Sequence, residues 1–166
     1  TAGMYAYRGR LMDSALRVDG LQIATAHALT YNSAEASGDD LEPKGLIRLW
    51  QVPSSKLEFP PIELDTEPRS IAYHPLRDEI VVLTAAMELV VVKLDSGEIV
   101  CRSSFTLPTE QHPDSTHQRK THLYNGQLHF SPDGKRLFAW GVGRGVHVWD
   151  CTEQLAKTAD KTYLAD

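Results

Sequence analysis

The sequence predicts an all-β protein built of short, repeated antiparallel strands, and three observations lead to this prediction. Residues 125–150 contain three short apolar or alternating runs separated by turn residues. The same order of runs and turns occurs twice earlier in the chain. The runs are long enough for strands and too short to favour helices. We therefore expect strands joined by tight turns through most of the chain.

The first two runs of residues 125–150 flank a well-marked turn. Leu128–Phe130 alternates apolar and polar residues, as a half-buried strand does. The following Ser131–Gly134 supplies turn chemistry: Pro132 fixes its φ angle, Asp133 can bond its own backbone, and Gly134 tolerates a positive φ. The sequence therefore predicts a tight turn between two strands at this point.

The second and third strands of this stretch follow the turn. Arg136–Trp140 is mostly apolar, and the glycines of residues 141–145 are expected to end it. Strict alternation returns in Val146–Trp149, directly before Asp150. Residues 153–166 fit a strand, a short helix or a frayed tail equally well.

An earlier stretch, residues 12–64, shows the same layout. A short strand reaches an Asp19-Gly20 turn, and a second strand is expected at Leu21–Ala28. The third, Leu46–Gln51, again contains a tryptophan near its end, and a fourth is plausible at Lys56–Leu64. Residues 31–44 between the second and third strands are polar, acidic and rich in small side chains, which predicts an inserted surface loop.

The layout returns in residues 68–107. His74-Pro75 occupies the place of Ser131-Pro132, and strands are expected at Glu79–Thr84 and Glu88–Asp95. A Ser96-Gly97 turn then leads to an outer fourth strand at Glu98–Leu107. Residues 108–121, which contain two prolines, are expected to form a polar connector to the last unit.

The ordered set of strand, Ser-Pro-Asp-Gly turn, strand, glycine turn and a strand ending in Trp149-Asp150 resembles one blade of a WD-repeat β-propeller. The other two units are degenerate versions, with Trp50-Gln51 and Leu94-Asp95 in the last position. The His, Ser or Thr, Asp and Trp tetrad typical of that family is not assembled residue by residue in this sequence. The resemblance covers most of the chain, and only the third unit is close to the family pattern.

The resemblance implies a partial, WD-repeat-like β-propeller of about three four-stranded blades. It forms one segment over residues 1–166, with units at about 12–64, 68–107 and 125–166. Closed propellers have roughly 4 to 8 blades of about 40–45 residues. Three blades would leave faces and edges exposed. We therefore expect a piece of a larger propeller, or a ring that a second chain completes. The absence of an initiator methionine also suggests an excised or processed piece.

Composition excludes several classes of protein. The net charge of −5 gives no strong signal for a nucleic-acid partner. No apolar run is long enough for a membrane-spanning helix, and no signal peptide is visible. Two cysteines, Cys101 and Cys151, are too few for a disulfide framework and are read as reduced thiols, although a single bridge between them stays open. We expect an intracellular protein, cytoplasmic or nuclear.

The sequence predicts no catalytic, cofactor-binding or metal site. The spacing of five between His112, His117 and His122 matches no usual zinc pattern. The glycines around Arg144 precede no helix and lack the Lys-Ser/Thr of a phosphate loop, so a tight turn is expected there. No nucleophile elbow is present. The paired acidic residues Asp39 and Asp40 lack an apolar wall that would raise their pKa.

Family resemblance implies a non-catalytic scaffold that binds other proteins through its loops. We predict partner contacts from the 31–44 loop, the 108–121 connector and the tip of the glycine turn, at Asp39, Asp40, Glu42, His117, Arg119 and Arg144. Trp50, Trp140 and Trp149 are expected in the cores of the units. The main alternative is a propeller enzyme or a small-ligand-binding propeller, such as the lactonase-like kind, and a third possibility is a histone-tail reader.

Overall fold

The computed structural model of the chain describes residues 9–29, 44–105, 126–142, 145–152 and 161–164. Within these residues the protein is all-β, as the sequence predicts, and its strands form three antiparallel sheets, none of which is closed. Sheet 1 contains β1 Gly9–Leu16, β2 Gln22–Leu29, β3 Lys44–Gln51, β4 Lys56–Leu57 and β5 Ile62–Leu64. Sheet 2 contains β6 Pro68–Tyr73, β7 Glu79–Thr84, β8 Glu88–Lys93 and β9 Ile99–Ser104. Sheet 3 contains β10 Gln127–Phe130, β11 Arg136–Val142, β12 Gly145–Asp150 and β13 Lys161–Leu164.

Sheets 2 and 3 are meanders in which consecutive strands pair, and sheet 1 follows the same pattern through β4. Sheets 2 and 3 have the orders β6-β7-β8-β9 and β10-β11-β12-β13. Sheet 1 has the order β1-β2-β3-β4, and β5 also pairs with β3. The single fourth strand expected at Lys56–Leu64 is wrong, because Pro60 and Pro61 lack backbone N–H donors and interrupt the ladder between β4 and β5.

The turns between first and second strands follow their local chemistry. In sheet 3, the Gly134 N–H donates to the carbonyl of Ser131 at 2.8 Å, and Gly134 has a φ of 68°. The Ser131 hydroxyl donates to Asp133 at 2.6 Å, which holds the pKa of that carboxyl below its ordinary value. The corresponding turn of sheet 1 places Gly20 at a φ of 73°. Both turns were predicted from sequence.

β11 runs further than predicted. The expected break at Gly141 is wrong, because the strand continues to Val142 and pairs there with Gly145. The register shifts between Trp140 and Val142, which is the signature of a β-bulge. Glycine at this position therefore marks a bulge in the strand, which is a common role for an isolated strand glycine.

Sheet 2 is the middle layer, and both of its faces are buried. One face packs on sheet 1 through a cluster that includes Ile80, Val82, Val90 and Val92. The alternate residues of the same strands pack on sheet 3 through Val81, Leu83, Leu89 and Val91. Burial on both faces explains why β7 and β8 read as continuous apolar runs instead of alternating ones.

The backbones of sheets 1 and 2 approach closely at one point. A Cβ added to Gly45 of β3 would overlap the ring of Pro68 and would lie 2.7 Å from the Thr66 carbonyl oxygen. Only glycine fits between these groups without displacement of backbone. Among the first strands of the three sheets, β1 and β10 both lie next to β6.

Candidate functional site

A hydrogen-bonded relay joins the first strands of all three sheets. The Ser70 hydroxyl of β6 donates to Asp13 Oδ2 of β1 at 2.7 Å and accepts from the Leu128 N–H of β10 at 3.0 Å. The same Asp13 oxygen accepts from the Ile71 N–H at 3.0 Å. Ser70 is only 1% exposed, so water does not replace these bonds in the folded state. The relay therefore fixes three strands from three sheets at one place.

Two β-bulges lie directly before the relay residues. The register of β1 shifts between Leu11 and Asp13, so that Met12 is extra. The register of β6 shifts between Pro68 and Ser70, so that Arg69 is extra. A bulge redirects the side chain that it carries and is common next to binding sites. Met12 and Arg69 both line one cleft at the start of these strands.

This cleft is open and polar, with a volume of about 450 Å³. It is lined from three sheets by Arg10, Leu11, Met12, Asp13, Arg69, Gly126 and Gln127. At its edge, Glu67 Oε1 accepts from Arg10 Nη2 at 3.2 Å and from Arg69 Nη1 at 3.3 Å. One carboxylate oxygen is thus shared by two guanidinium groups. We call this opening the first-strand cleft.

Arg69 has an unused donor. Its Nε is buried and has no hydrogen-bond acceptor among the described residues. The Arg69 side chain is 22% exposed, whereas that of Arg10 is 65% exposed. A buried donor without an acceptor carries a desolvation cost of about 1–3 kcal/mol, so a movement of the Arg69 side chain that brought this N–H to an acceptor would be favourable.

A second site lies at the opposite ends of the first strands, between sheets 2 and 3. The His74 Nδ1 accepts from the backbone N–H groups of Leu76 and Arg77 at 3.1 and 3.0 Å. Its proton is therefore on Nε2, which donates to the Gly134 carbonyl at 3.1 Å. Burial lowers the pKa of His74, and the Arg77 charge lowers it further. A Cβ on Gly134 would lie 2.5 Å from the imidazole, so the contact also requires glycine there.

A cavity of about 50 Å³ lies beside this histidine. It is lined by residues of sheets 2 and 3 that include Cys101, Cys151 and Phe130. Neither cysteine is in a disulfide, and the Cys151 thiol donates to the Trp149 carbonyl at 3.7 Å. The Arg77 guanidinium donates to the carbonyl of Cys151 at 3.0 Å. His74 and Arg77 thus hold sheet 2 against sheet 3, which is a structural role.

The outer face of sheet 1 carries a polar network. The Trp50 indole N–H donates to the Thr25 hydroxyl at 3.0 Å, and His27 Nε2 lies 3.0 Å from the same oxygen. Burial lowers the pKa of His27, and the Arg48 charge adds to this effect. These three side chains are half-buried on a face that no described sheet covers.

The outer face of sheet 3 is uncovered by any described sheet as well. The His129 and Trp140 rings stack with centroids 4.5 Å apart and an interplanar angle of 10°. Trp140 is 38% exposed, so its predicted place in the core is wrong for this chain. Trp149 by contrast is fully buried, with its ring edge-on to Phe105. The difference arises because the two tryptophans lie on opposite faces of the sheet.

The predicted contact residues lie outside the described residues. This holds for Asp39, Asp40, Glu42, His117, Arg119 and Arg144. Their role in partner binding stays a prediction. The described residues contain no group of three or more His, Cys, Asp or Glu side chains that could hold a metal ion. In the same residues, no helix is long and apolar enough to cross a membrane.

Sequence reasoning missed Asp13, Ser70 and Arg69. The one available signal was a charged residue within each expected first strand, at Asp13 and Arg69. Their meeting depends on the stacking of the sheets, because Ser70 lies 57 positions after Asp13 in the chain. Comparison with protein-family models matches none of them, and comparison with curated proteins finds no match.

Proposed function

We propose that this chain is a non-catalytic, WD-repeat-like propeller segment that mediates protein–protein assembly within a larger ring or complex. The observation that carries the proposal is that the large residue at or near the end of each third strand points the same way in all three sheets. Leu94, which directly follows the third strand of sheet 2, and Trp149, near the end of the third strand of sheet 3, are buried toward the preceding sheet. Trp50 ends the third strand of sheet 1 and points the same way, where no described sheet precedes.

The other end of the stack supports the same proposal. Sheets 1 and 2 each bury one face against the sheet that follows. The corresponding face of sheet 3 carries Phe138, Trp140, Val146 and Val148, which are half-buried or exposed. A face of this composition is typical of a surface that another element covers.

The radial arrangement of a propeller explains why the first strands lie together. In a ring of sheets, the first strand of each sheet lines the centre and meets its neighbours there. Three sheets are fewer than the roughly 4 to 8 of a closed ring. Further sheets, from the rest of a larger propeller, from another chain or from a second copy, would complete it. We propose an intracellular location, cytoplasmic or nuclear, in line with thiols outside disulfides.

Substitution of an outer-face residue tests this function. Trp140→Glu places a charge on the outer face of sheet 3, whereas Leu76→Glu changes an exposed turn residue away from that face. We expect sedimentation velocity to show that the purified chain associates, that Trp140→Glu dissociates it, and that Leu76→Glu does not. A wild-type chain that sediments as a monomer over the micromolar range would contradict the proposal.

A second test, directed at a partner, concerns the acidic residues of the predicted 31–44 loop. If Asp39 and Asp40 dock a basic partner, changing both to lysine should weaken the complex, because attraction becomes repulsion. Unchanged affinity for every partner of the wild-type chain would show that this loop is not the contact.

One observation favours a second candidate, a ligand-binding or enzymatic propeller. Polar side chains from three sheets converge on the first-strand cleft, as such a propeller requires. This candidate predicts that a small lactone or a divalent cation binds in the cleft and that Asp13→Asn abolishes the binding. Isothermal titration calorimetry of a small lactone and of a divalent cation, each against the wild-type chain and Asp13→Asn, would test this candidate.

A further inference from the structure

The first-strand cleft offers two guanidinium groups to a ligand. Arg69 is placed there by the bulge in β6, and the relay through Ser70 fixes the adjacent backbone. Arg69 Nε is a buried donor without an acceptor in the described part of the chain. Arg10 reaches the same opening from β1, and its exposure leaves it able to reorient toward a ligand.

We propose that this cleft binds the carboxylate side chain of an acidic peptide segment in a partner protein. Arg69 holds the carboxylate, and Arg10 closes over it from the solvent side. The proposal rests on the proposed role of the chain as an interaction module, and it names the chemistry of one partner contact.

Glu67 shows which ligand the two arginines accept. Its Oε1 already receives a hydrogen bond from each of them. A guanidinium group matches a carboxylate through parallel N–H donors, and charge-assisted bonds of this kind are among the strong ones. A second carboxylate can therefore bind to the remaining donors, or displace Arg10 from Glu67.

The local charges nearly balance, so the choice of ligand rests on the carboxylate that the two arginines already bind. Two arginines face Glu67 and Asp13, and the Asp13 carboxylate is already hydrogen-bonded to Ser70, Ile71 and Ser14. A dianionic phosphate would be repelled more by these carboxylates and attracted more by the arginines, so charge alone does not select it over the carboxylate chemistry that Glu67 shows. We therefore assign the site to glutamate or aspartate side chains.

The test is a titration of the whole chain with a fluorescein-labelled peptide of alternating glutamate and glycine, followed by anisotropy. The same peptide with glutamine in place of glutamate is the ligand control. We expect the glutamate peptide to bind and the glutamine peptide not to bind. Binding should weaken with added salt, because exposed charge pairs are screened.

Three variants locate the binding. Arg69→Gln should lower the affinity about tenfold, as expected for loss of a charge-assisted hydrogen bond. Arg10→Gln should lower it about two- to fivefold, since exposed ion pairs contribute less. Arg102→Gln is the matched control, because Arg102 also pairs with two carboxylates, Asp65 and Glu88, but lies on β9 away from the cleft. It should change the affinity less than about twofold.

A wild-type measurement keeps the proposal testable if Arg69→Gln does not fold. In an NMR titration of the wild-type chain, the Arg69 Nε–H resonance should move on peptide addition, whereas that of Arg102 should not. Equal binding of the glutamine peptide, equal effects of Arg69→Gln and Arg102→Gln, or an unmoved Arg69 signal would each overturn the assignment. Tighter binding of a matched phosphoserine peptide would overturn the choice of a carboxylate.

The outcome is separable from that of ring completion. If the chain is a monomer but binds the glutamate peptide through Arg69, the assembly proposal fails and the cleft assignment stands. If the chain assembles but does not bind the peptide, the cleft assignment alone fails.

Discussion

Removal of the Ser70 hydroxyl is the perturbation that most directly tests the relay between the three sheets. Ser70→Ala deletes the donor to Asp13 and the acceptor for the Leu128 N–H, and it leaves the rest of a buried side chain in place. The hydrogen bond to a carboxylate contributes about 1.5–3 kcal/mol, and a buried N–H left without an acceptor costs about 1–3 kcal/mol. Because Asp13 is only half-buried and water can reach it, we expect the lower part of the combined range, about 3 kcal/mol.

Urea denaturation followed by tryptophan fluorescence gives this value at fixed protein concentration. In a thermal melt, about 3 kcal/mol should lower the Tm by about 6–12 °C for a chain of this size. Ser104→Ala is the control, because Ser104 is exposed on β9. Its effect should be within about 0.5 kcal/mol of zero.

A double-mutant cycle with Asp13→Ala isolates the interaction between the two side chains. We expect a coupling free energy of about 1.5 kcal/mol or more, since the bond is charge-assisted. A cost below about 1 kcal/mol for Ser70→Ala, or a coupling below about 0.5 kcal/mol, would refute the reasoning that the relay joins the sheets.

Further predictions concern backbone contacts and pH. Gly45→Ala should destabilise the chain by more than about 2 kcal/mol in urea denaturation, because its Cβ would overlap the neighbouring β6 proline ring. Gly20→Ala should cost only about 1 kcal/mol, since it meets no atom within 4 Å and has only a positive φ to oppose it; equal costs would contradict the close approach. Stability should fall as the pH drops below about 6.5, because the folded chain lowers the pKa of His74 and His27 and the unfolded chain therefore takes up protons first. Urea denaturation across this range should show a smaller slope for His74→Gln, and an unchanged slope would contradict the role of His74.

Local chemistry made the turns and strands predictable. The Ser131–Gly134 turn has a proline with a fixed φ, a side-chain acceptor in Asp133 and a glycine that takes a positive φ. Its conformation therefore depends on its own residues more than on distant packing. The apolar runs of β7 and β8 are strand-like for the same reason, since branched side chains favour a pleated backbone. The break at Pro60-Pro61 was visible in the sequence, and the prediction of one continuous strand gave too little weight to it.

Long-range packing made the candidate site unpredictable. The first-strand cleft depends on the order in which the sheets stack, and no local pattern contains this order. On a regular strand Arg69 would be an ordinary surface cation. Only the register shift in β6 directs its side chain toward the first-strand cleft. The sequence likewise did not determine whether Trp50 and Trp140 lie on the covered or the uncovered face of their sheets, because alternation along a strand does not say which face meets a neighbouring sheet.

Native mass spectrometry of the purified chain, without denaturant, tests the central claim most directly. If three stacked sheets are part of a ring, the outer faces with Trp50 and Trp140 should be covered by further sheets. We predict a species with two or more copies, or with a stoichiometric second chain, that Trp140→Glu dissociates. A single-copy species that also melts in one cooperative transition would contradict the account.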